Sequence, residues 1–468
     1  MQTRKWLVTL AVVGFGTSAA AISGFDFGLF RDHQMDAHSL QTFGIVTPVE
    51  ASSTASISAA AAADNPTSLV TLAKGLRARV VTARANVGPN IDMMALWPDD
   101  QHPTHLIACN EDGVAQPGLQ RIRLSDGMAE TILTGTSSCD PVRRTAWGTI
   151  VFGEEVTNTG WLMEMINPLA TTGVLFNRVA GTFSGGVGAA NLVVRPAVGR
   201  LAFEGLALYP NGVLYYGDEQ RPLNGNPGGA YFKFVPAMPW SGGQISSLDQ
   251  SPLAAGAVYG LRLGKRSGNT DYGQGTNTGM GTWVPIVPSL NADLRAATIA
   301  LKLTGYYRPE DAEVDPEALF QGRVRFCANN TGNEAQDHLW GETICVTDGT
   351  LAQATANTAM PEVQYLVIGT PELAMMDNIA PQPGRGNWII HEDGDGAEFG
   401  RNNDLWSCLE DGEDADGLSD GCVRIATIND LNAEWTGGIF DGSGEHFYVS
   451  VQHNVTGHGV VLDITGWR

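Results

Sequence analysis

One stretch of the chain, residues 139–155, combines a thiol with two adjacent carboxylates at the end of an apolar run. The run, residues 147–152, is rich in Trp, Thr, Ile, Val and Phe, which favour a β-strand, and a glycine bounds it. Glu154 and Glu155 therefore lie at a predicted strand end, with Cys139 upstream. Carboxylates with a thiol nearby suit a hard cation together with a softer transition metal. The alternative is a solvated acidic turn beside a disulfide cysteine.

The two carboxylates at this strand end are adjacent, which limits what they can bind together. Successive side chains of a strand point to opposite faces of the sheet. Glu154 and Glu155 therefore enter one pocket only where a bulge or a loop turns the backbone.

Further acids lie beside other predicted strands, next to apolar runs or Pro/Gly turns. Taken singly, each is compatible with an ordinary turn residue. If they converged, four or more carboxylates would repel one another strongly unless cations neutralised them. These acids are Glu204, Asp218, Glu219, Glu310 and Asp377.

Arg308 is the candidate anion-binding residue, because a planar guanidinium can grip two oxygens of a phosphate. The alternative is a structural ion pair with a neighbouring acid. A second acidic region, residues 392–398 and 410–420, resembles only the start of a calcium loop and is interpreted as solvated loop. His453 is not assigned a ligand role.

The elements that must position these residues are short strands separated by turns. Residues 206–209 and 213–216 form a predicted hairpin across a Pro-Asn-Gly turn. Units of a few short strands, with acids at the strand ends, favour an all-β propeller with long inserted loops and few short helices. Strand ends gather at the central channel of such a fold. The alternative is a large double-sheet β-sandwich.

Charge restricts the partners of this 468-residue chain. It has 28 Lys and Arg against 50 Asp and Glu, a formal net charge of −22. This balance argues against nucleic acid or an anionic membrane surface as the main partner. A small anionic substrate remains compatible, provided that bound metals reverse the local field. The sequence indicates no oligomeric state.

The N-terminal residues are typical of an exported protein. Two basic residues precede an uncharged run over residues 6–25, which predicts a signal peptide over residues 1–21. The alternative is a membrane anchor. An Ala/Ser-rich stretch predicts a flexible linker over residues 22–67, followed by a propeller domain over residues 68–468. We expect a periplasmic or extracellular location, without membrane contact after processing.

Six cysteines are disulfide candidates in an exported protein. Cys327 with Cys345, and Cys408 with Cys422, are local pairs. A third pair, Cys109 with Cys139, would compete with a ligand role for Cys139.

Several motifs, taken in order, resemble the PhoX-type alkaline phosphatases from about residue 92 to the C-terminus. No single motif is specific, whereas their order is fairly specific. The motifs are Cys139 with residues 147–149 and 154–155, residues 203–205, residues 216–219 with 231–235, residues 308–310, residues 377–378, and residues 451–453.

The resemblance implies a six-bladed propeller with a mixed iron and calcium cluster in its channel. Cys139 would be the iron-binding cysteine, with Glu204 and Glu310 among the iron-binding carboxylates. Arg308 would be the phosphate clamp. The calcium-side or bridging acids would be Glu154, Glu155, Asp218 and Asp377.

The function implied by this resemblance is hydrolysis of phosphate monoesters by a secreted, metal-dependent phosphatase. The alternative is a non-catalytic, calcium-stabilised binding or surface-structural propeller. Two departures from the family motivate it: the charged spacer over residues 140–144, and Phe203, where the phosphatases commonly have His. A third hypothesis, a lactonase-type calcium propeller, requires calcium alone and ester turnover.

Overall fold

Antiparallel strands dominate the structure, a computed structural model that describes residues 27–222, 226–264, 277–332, 340–412 and 416–468. The strands are β1 (Val70–Leu72), β2 (Arg77–Thr82), β3 (Ile91–Trp97), β4 (His105–Asn110), β5 (Pro117–Arg123), β6 (Ala129–Thr134), β7 (Cys139–Arg144), β8 (Ile150–Glu154), β9 (Leu162–Met165), β10 (Val174–Asn177), β11 (Thr182–Ser184), β12 (Leu192–Val194), β13 (Phe203–Leu208), β14 (Leu214–Asp218), β15 (Tyr231–Pro236), β16 (Gly256–Leu263), β17 (Gly279–Pro285), β18 (Pro309–Val314), β19 (Arg323–Asn330), β20 (Glu342–Thr350), β21 (Glu362–Ile368), β22 (Met376–Pro381), β23 (Trp388–Glu392), β24 (Asp404–Cys408), β25 (Cys422–Ile428), β26 (Glu434–Phe440), β27 (Phe447–Gln452) and β28 (Val460–Thr465). The α-helices are α1 (Phe27–Thr42), α2 (Ala59–Asp64), α3 (Leu294–Leu301), α4 (Pro316–Phe320), α5 (Leu351–Thr355) and α6 (Gly396–Phe399).

These strands form blades around a central channel. Strands β3–β6, extended by β10 and β11, make the first blade, and β7, β8, β9 and β12 make the second. Strands β13–β17 and β18–β21 make the third and fourth. Strands β22–β25 and β26–β28 make the fifth and sixth, which the N-terminal strands β1 and β2 complete at their outer edges. Pairing between strands from the two ends of the chain closes the ring.

The innermost strands of the blades, β3, β7, β13, β18, β22 and β26, adjoin one another in that order, and β26 adjoins β3. The predicted all-β propeller is therefore confirmed. Hydrogen bonds in the described ranges define five sheets rather than six, because β17 pairs with β21 and joins the third and fourth blades. Close approach of β13 and β18 requires a glycine: a Cβ on Gly205 would lie 1.8 Å from the Ala312 backbone nitrogen.

Every innermost strand carries a β-bulge, in which two of its residues oppose one residue of the neighbouring strand. A bulge bends the strand and re-aims its side chains. In five of the six strands the first residue of the bulge is an acid, and in β26 it is Gly437. The five acids are Asp92, Asp140, Glu204, Glu310 and Asp377.

The N-terminal region differs from the predicted linker. Phe43 and Ile45 are fully buried in the core, and backbone hydrogen bonds tie residues 46–57 to the propeller. Helices α1 and α2 also lie within residues 22–67. Burial of its apolar residues packs this region against the propeller, whereas its Ala/Ser-rich composition had predicted a flexible linker. The predicted signal peptide, residues 1–21, lies outside the described residues. Among those described, no helix has the length and apolar character needed to cross a membrane.

All six cysteines are paired in disulfides. The two predicted local pairs, Cys327–Cys345 and Cys408–Cys422, are confirmed, and each joins residues opposite one another on adjacent strands. The third disulfide joins Cys109 on β4 to Cys139 on β7, and so links the first blade to the second.

A buried histidine gives the fold an acid-sensitive element. His391 on β23 packs edge-on against Phe447, and burial lowers its pKa from 6.5 to about 3. Between these pH values the His391 side chain is protonated in the unfolded chain and neutral in the folded chain. The free energy of unfolding therefore decreases as the pH falls from about 6.5 to about 3. We expect His391→Leu to reduce the acid-dependent loss of unfolding free energy by roughly 3 kcal/mol near pH 4. Urea unfolding of both proteins at neutral pH and near pH 4 measures this difference, and equal losses would contradict it.

Candidate metal centre

Five carboxylates from four blades converge in the channel. Asp140, Glu155 and Glu204 each offer one oxygen, and these oxygens lie within 4.8 Å of one another. Glu204, Glu310 and Asp377 make a second group with the same property. Glu204 belongs to both groups, so one carboxylate joins them. We call these five residues the carboxylate cluster.

Burial and mutual repulsion disfavour the ionised forms of these acids. Burial raises the pKa of Glu204, with the charges of Asp140 and Glu310 as further causes. Burial likewise raises the pKa of Asp140, Glu155 and Asp377 well above the usual range. The pKa of Glu310 rises to about 8, although Arg308 opposes the effect of burial. A bound cation would reverse this balance and keep the carboxylates ionised.

A second tier of polar side chains stands above the bulge acids. We call the strand that pairs with the innermost strand of each blade its second strand; these are β4, β8, β14, β19, β23 and β27. Each blade contributes to the tier the residue that immediately follows its second strand. Four of the six are acids, so Glu155 reaches the cluster from this tier. Burial raises the pKa of Glu111, another member. The six residues are Glu111, Glu155, Glu219, Thr331, Asp393 and His453.

Two predicted ligands, Glu154 and Asp218, lie outside the cluster, and each pairs with an arginine instead. Each is the last residue of a second strand, so its side chain points away from that of the next residue. Glu154 accepts from Arg178 Nε at 2.6 Å, and Asp218 accepts from Arg295 Nε at 2.9 Å. Burial nevertheless raises the pKa of Asp218 to about 7.

Cys139 is also corrected as a predicted ligand. Its sulfur is bonded to Cys109, so it offers no thiolate. The strand register explains why the Cys139 side chain points away from the channel. Cys139 pairs with Glu154 just before the bulge, and the bulge begins at the next residue, Asp140. Asp140 lies in the charged spacer, residues 140–144, and was not predicted as a ligand.

Arg308, the predicted phosphate-binding residue, contacts one member of the cluster. Its Nε donates to Glu219 at 2.7 Å, and its Nη2 lies 3.2 Å from Glu310 and 3.8 Å from Asp393. The ion pair that was the alternative for this residue is therefore present. Arg308 also lines a cavity of about 350 Å³, together with Arg221, Asp393 and others. Arg308 therefore contacts one member of the carboxylate cluster and also lines this cavity.

The residues present fit hard cations. The donors of the cluster are all oxygens, which suit calcium, magnesium or manganese. One oxygen of Asp140 and one of Asp92 are buried without a hydrogen-bond partner, although buried carboxylate oxygens normally have one. A thiolate-held metal does not fit, because both Cys109 and Cys139 are consumed in the disulfide.

Comparison with known proteins now identifies the family. The sequence profile described as alkaline phosphatase PhoX matches residues 189–454, more than half of the chain. The protein belongs to the PhoX family. A sequence search of the curated proteins finds no match.

A solved PhoX shares the fold of this PhoX-family chain, and a dehydrogenase is a weaker structural match. Pseudomonas fluorescens PhoX in complex with vanadate, a transition state analogue, superposes with a TM-score of 0.62 at 15% identity, covering 85% of this chain and 96% of that one. The PQQ-bound aldose sugar dehydrogenase of Streptomyces coelicolor gives a TM-score of 0.43 at 10% identity, covering 83% and 98%.

Several polar residues of the channel were missed by the sequence analysis. Asp393 was assigned to a solvated loop, and Glu434 was not singled out, although burial raises the pKa of Glu434. His453 Nε2 lies 3.0 Å from Glu434, so His453 also belongs to the channel mouth. The signal that could have found Asp393 and His453 is positional, because each follows the second strand of its blade. Glu434, the first residue of β26, has no such signal.

The adjacent pair Glu154 and Glu155 allows a matched test of this geometry. We expect Glu154→Gln to cost about 3 kcal/mol of stability, because it leaves the Arg178 guanidinium without its buried partner. Glu155→Gln should instead lower the metal content and leave the apo protein at least as stable. Urea unfolding and elemental analysis of both variants separate these effects, and the reverse assignment would refute the register.

Proposed function

We propose that this protein is an exported, metal-dependent phosphomonoesterase. The observation that supports this most strongly is the carboxylate cluster around Glu204, with Arg308 at its edge. Arg308 also lines a polar cavity. Membership in a family of alkaline phosphatases supports the same activity. A predicted signal peptide over residues 1–21 supports a periplasmic or extracellular location.

Calcium and iron are the proposed metals, held by oxygen ligands. Asp140, Glu155, Glu204, Glu310 and Asp377 would hold them. Bound cations of this kind polarise phosphoryl oxygens and neutralise the negative charge that develops during phosphoryl transfer.

The residues of the chain have separate tasks in this proposal. Arg308 binds the phosphate of a small ester from the cavity side through its guanidinium donors. Glu219 and Glu310 hold that guanidinium in place through their ion pairs. Fixed donors of this kind lower the reorganisation needed in the transition state. The polar cavity suits a hydrophilic leaving group, because its lining includes Arg221 and Asp395.

Turnover of p-nitrophenyl phosphate, with calcium and iron supplied, tests the activity. We expect wild-type turnover well above that of Glu310→Gln, because this variant removes one oxygen ligand and one partner of Arg308. Glu154→Gln is the matched control, since it removes a buried glutamate that pairs only outside the cluster. A wild-type rate no higher than that of Glu310→Gln would refute the proposal.

A calcium-stabilised propeller without catalysis is the second candidate. One observation favours it: the Arg308 guanidinium already contacts three carboxylates, so substrate must compete for it. Metal bound at full occupancy without ester turnover would support this candidate over the phosphatase.

A further inference from the structure

The strand β7 carries two residues that compete for the position facing the cations. Cys139 and Asp140 are adjacent, and only one of them can point into the channel. The choice decides whether the metal site contains sulfur.

The bulge repeat settles which residue faces inward. In β13, β18 and β22 the first bulge residue is Glu204, Glu310 or Asp377, and each of these joins the cluster. The first bulge residue of β7 is Asp140. The residue before the bulge, in each case, pairs with the last residue of the second strand and faces away from the channel.

Contacts of Asp140 agree with this equivalence. Its side chain is 4% exposed, and its Oδ1 has no hydrogen-bond partner. One of its carboxylate oxygens lies within 4.8 Å of an oxygen of Glu155 and an oxygen of Glu204. A buried carboxylate that has an unpartnered oxygen and also lies in a group with two further carboxylates points to a cation as its missing partner.

Cys139 has a different environment. It is fully buried in an apolar cluster with Ile107, Val142 and Phe152, and its sulfur is bonded to Cys109. Both cysteines therefore serve to join the first two blades behind the channel.

We propose that Asp140 is the metal ligand contributed by β7, and that the metal centre of this protein is built from oxygen ligands without a thiolate. The proposal rests on the metal dependence proposed above, and not on phosphatase activity. It predicts that the bound metals tolerate loss of the cysteines and require Asp140.

Metal content of the full-length protein tests this directly. The comparison uses wild type, Asp140→Asn and the double variant Cys109→Ser/Cys139→Ser, each loaded with calcium and iron, desalted and checked for folding by circular dichroism. We expect the serine double variant to keep the wild-type metal content and Asp140→Asn to lose about one cation per chain. Full metal content in Asp140→Asn, or loss of metal in the serine double variant, would overturn the proposal.

A second measurement remains informative if Asp140→Asn does not fold. Loaded with cobalt(II), a thiolate ligand produces strong near-ultraviolet charge-transfer absorption that carboxylate ligands lack. We expect this band in Asp140→Cys and not in wild type. A band in wild type, or a free thiol at Cys139 in unreduced protein, would overturn the proposal. Neither metal content nor the cobalt absorption band requires turnover. Failure of the phosphatase proposal can therefore be distinguished from failure of this proposal.

Discussion

Glu204→Gln is expected to abolish metal binding and phosphate ester turnover together. Glu204 is the one residue shared by both groups of the carboxylate cluster, so its loss removes a ligand from each. Loss of several kcal/mol of charge stabilisation corresponds to a decrease in kcat/KM of roughly 1,000-fold or more. The measurements are kcat/KM for p-nitrophenyl phosphate and metal content by elemental analysis.

The matched control for this variant is Glu392→Gln. Glu392 is also a fully buried glutamate, but its carboxylate pairs with Arg401 at 2.6 Å and lies outside the cluster. We expect Glu392→Gln to lower stability while it retains metal. Equal loss of metal in both variants would show that burial of charge, rather than ligation, explains the result.

Arg308→Ala is expected to lower kcat/KM by roughly 100- to 1,000-fold, the effect of removing one preorganised charge-stabilising donor. Arg308 lies 3.2 Å from Glu310 and lines the adjoining cavity. Inhibition by inorganic phosphate should weaken as well, because ground-state binding uses the same guanidinium. Arg308→Lys should recover only part of the lost kcat/KM, since an ammonium cannot reproduce the bidentate contact of a guanidinium with phosphate.

Metal affinity must be separated from substrate binding in this variant. Arg308 opposes the raised pKa of Glu310, so its removal raises that pKa further above about 8 and disfavours the ligating form. Assays at saturating metal and at alkaline pH remove this second effect. Unchanged inhibition by phosphate under those conditions would contradict a role in substrate binding.

Much of the fold was predictable from local pattern. Short apolar runs, each ended by a turn, predict repeated antiparallel strands, and the acids beside them predict a polar channel. Glu155, Glu204, Glu310 and Asp377 were found in this way. Strand parity also predicted that Glu154 and Glu155 separate, although parity alone did not say which one faces the channel.

The remaining residues depend on long-range structure. Glu154 and Asp218 are neutralised by Arg178, in the turn after β10, and by Arg295, in helix α3, and neither arginine gives a local signal of its partner. Asp140 was missed because a bulge shifts the alternation of β7 by one residue. This bulge is defined by the pairing of β7 with β8, which the local sequence pattern does not contain.

Anomalous X-ray diffraction from crystals of the native, chelator-free protein tests most directly whether the inner strands jointly hold cations in the channel. We expect anomalous peaks on both sides of the Glu204 carboxylate, one toward Asp140 and Glu155 and one toward Glu310 and Asp377. Calcium there should have oxygen ligands at about 2.3–2.6 Å. Crystals of active protein with no anomalous peak within ligand distance of Glu204 would contradict the account.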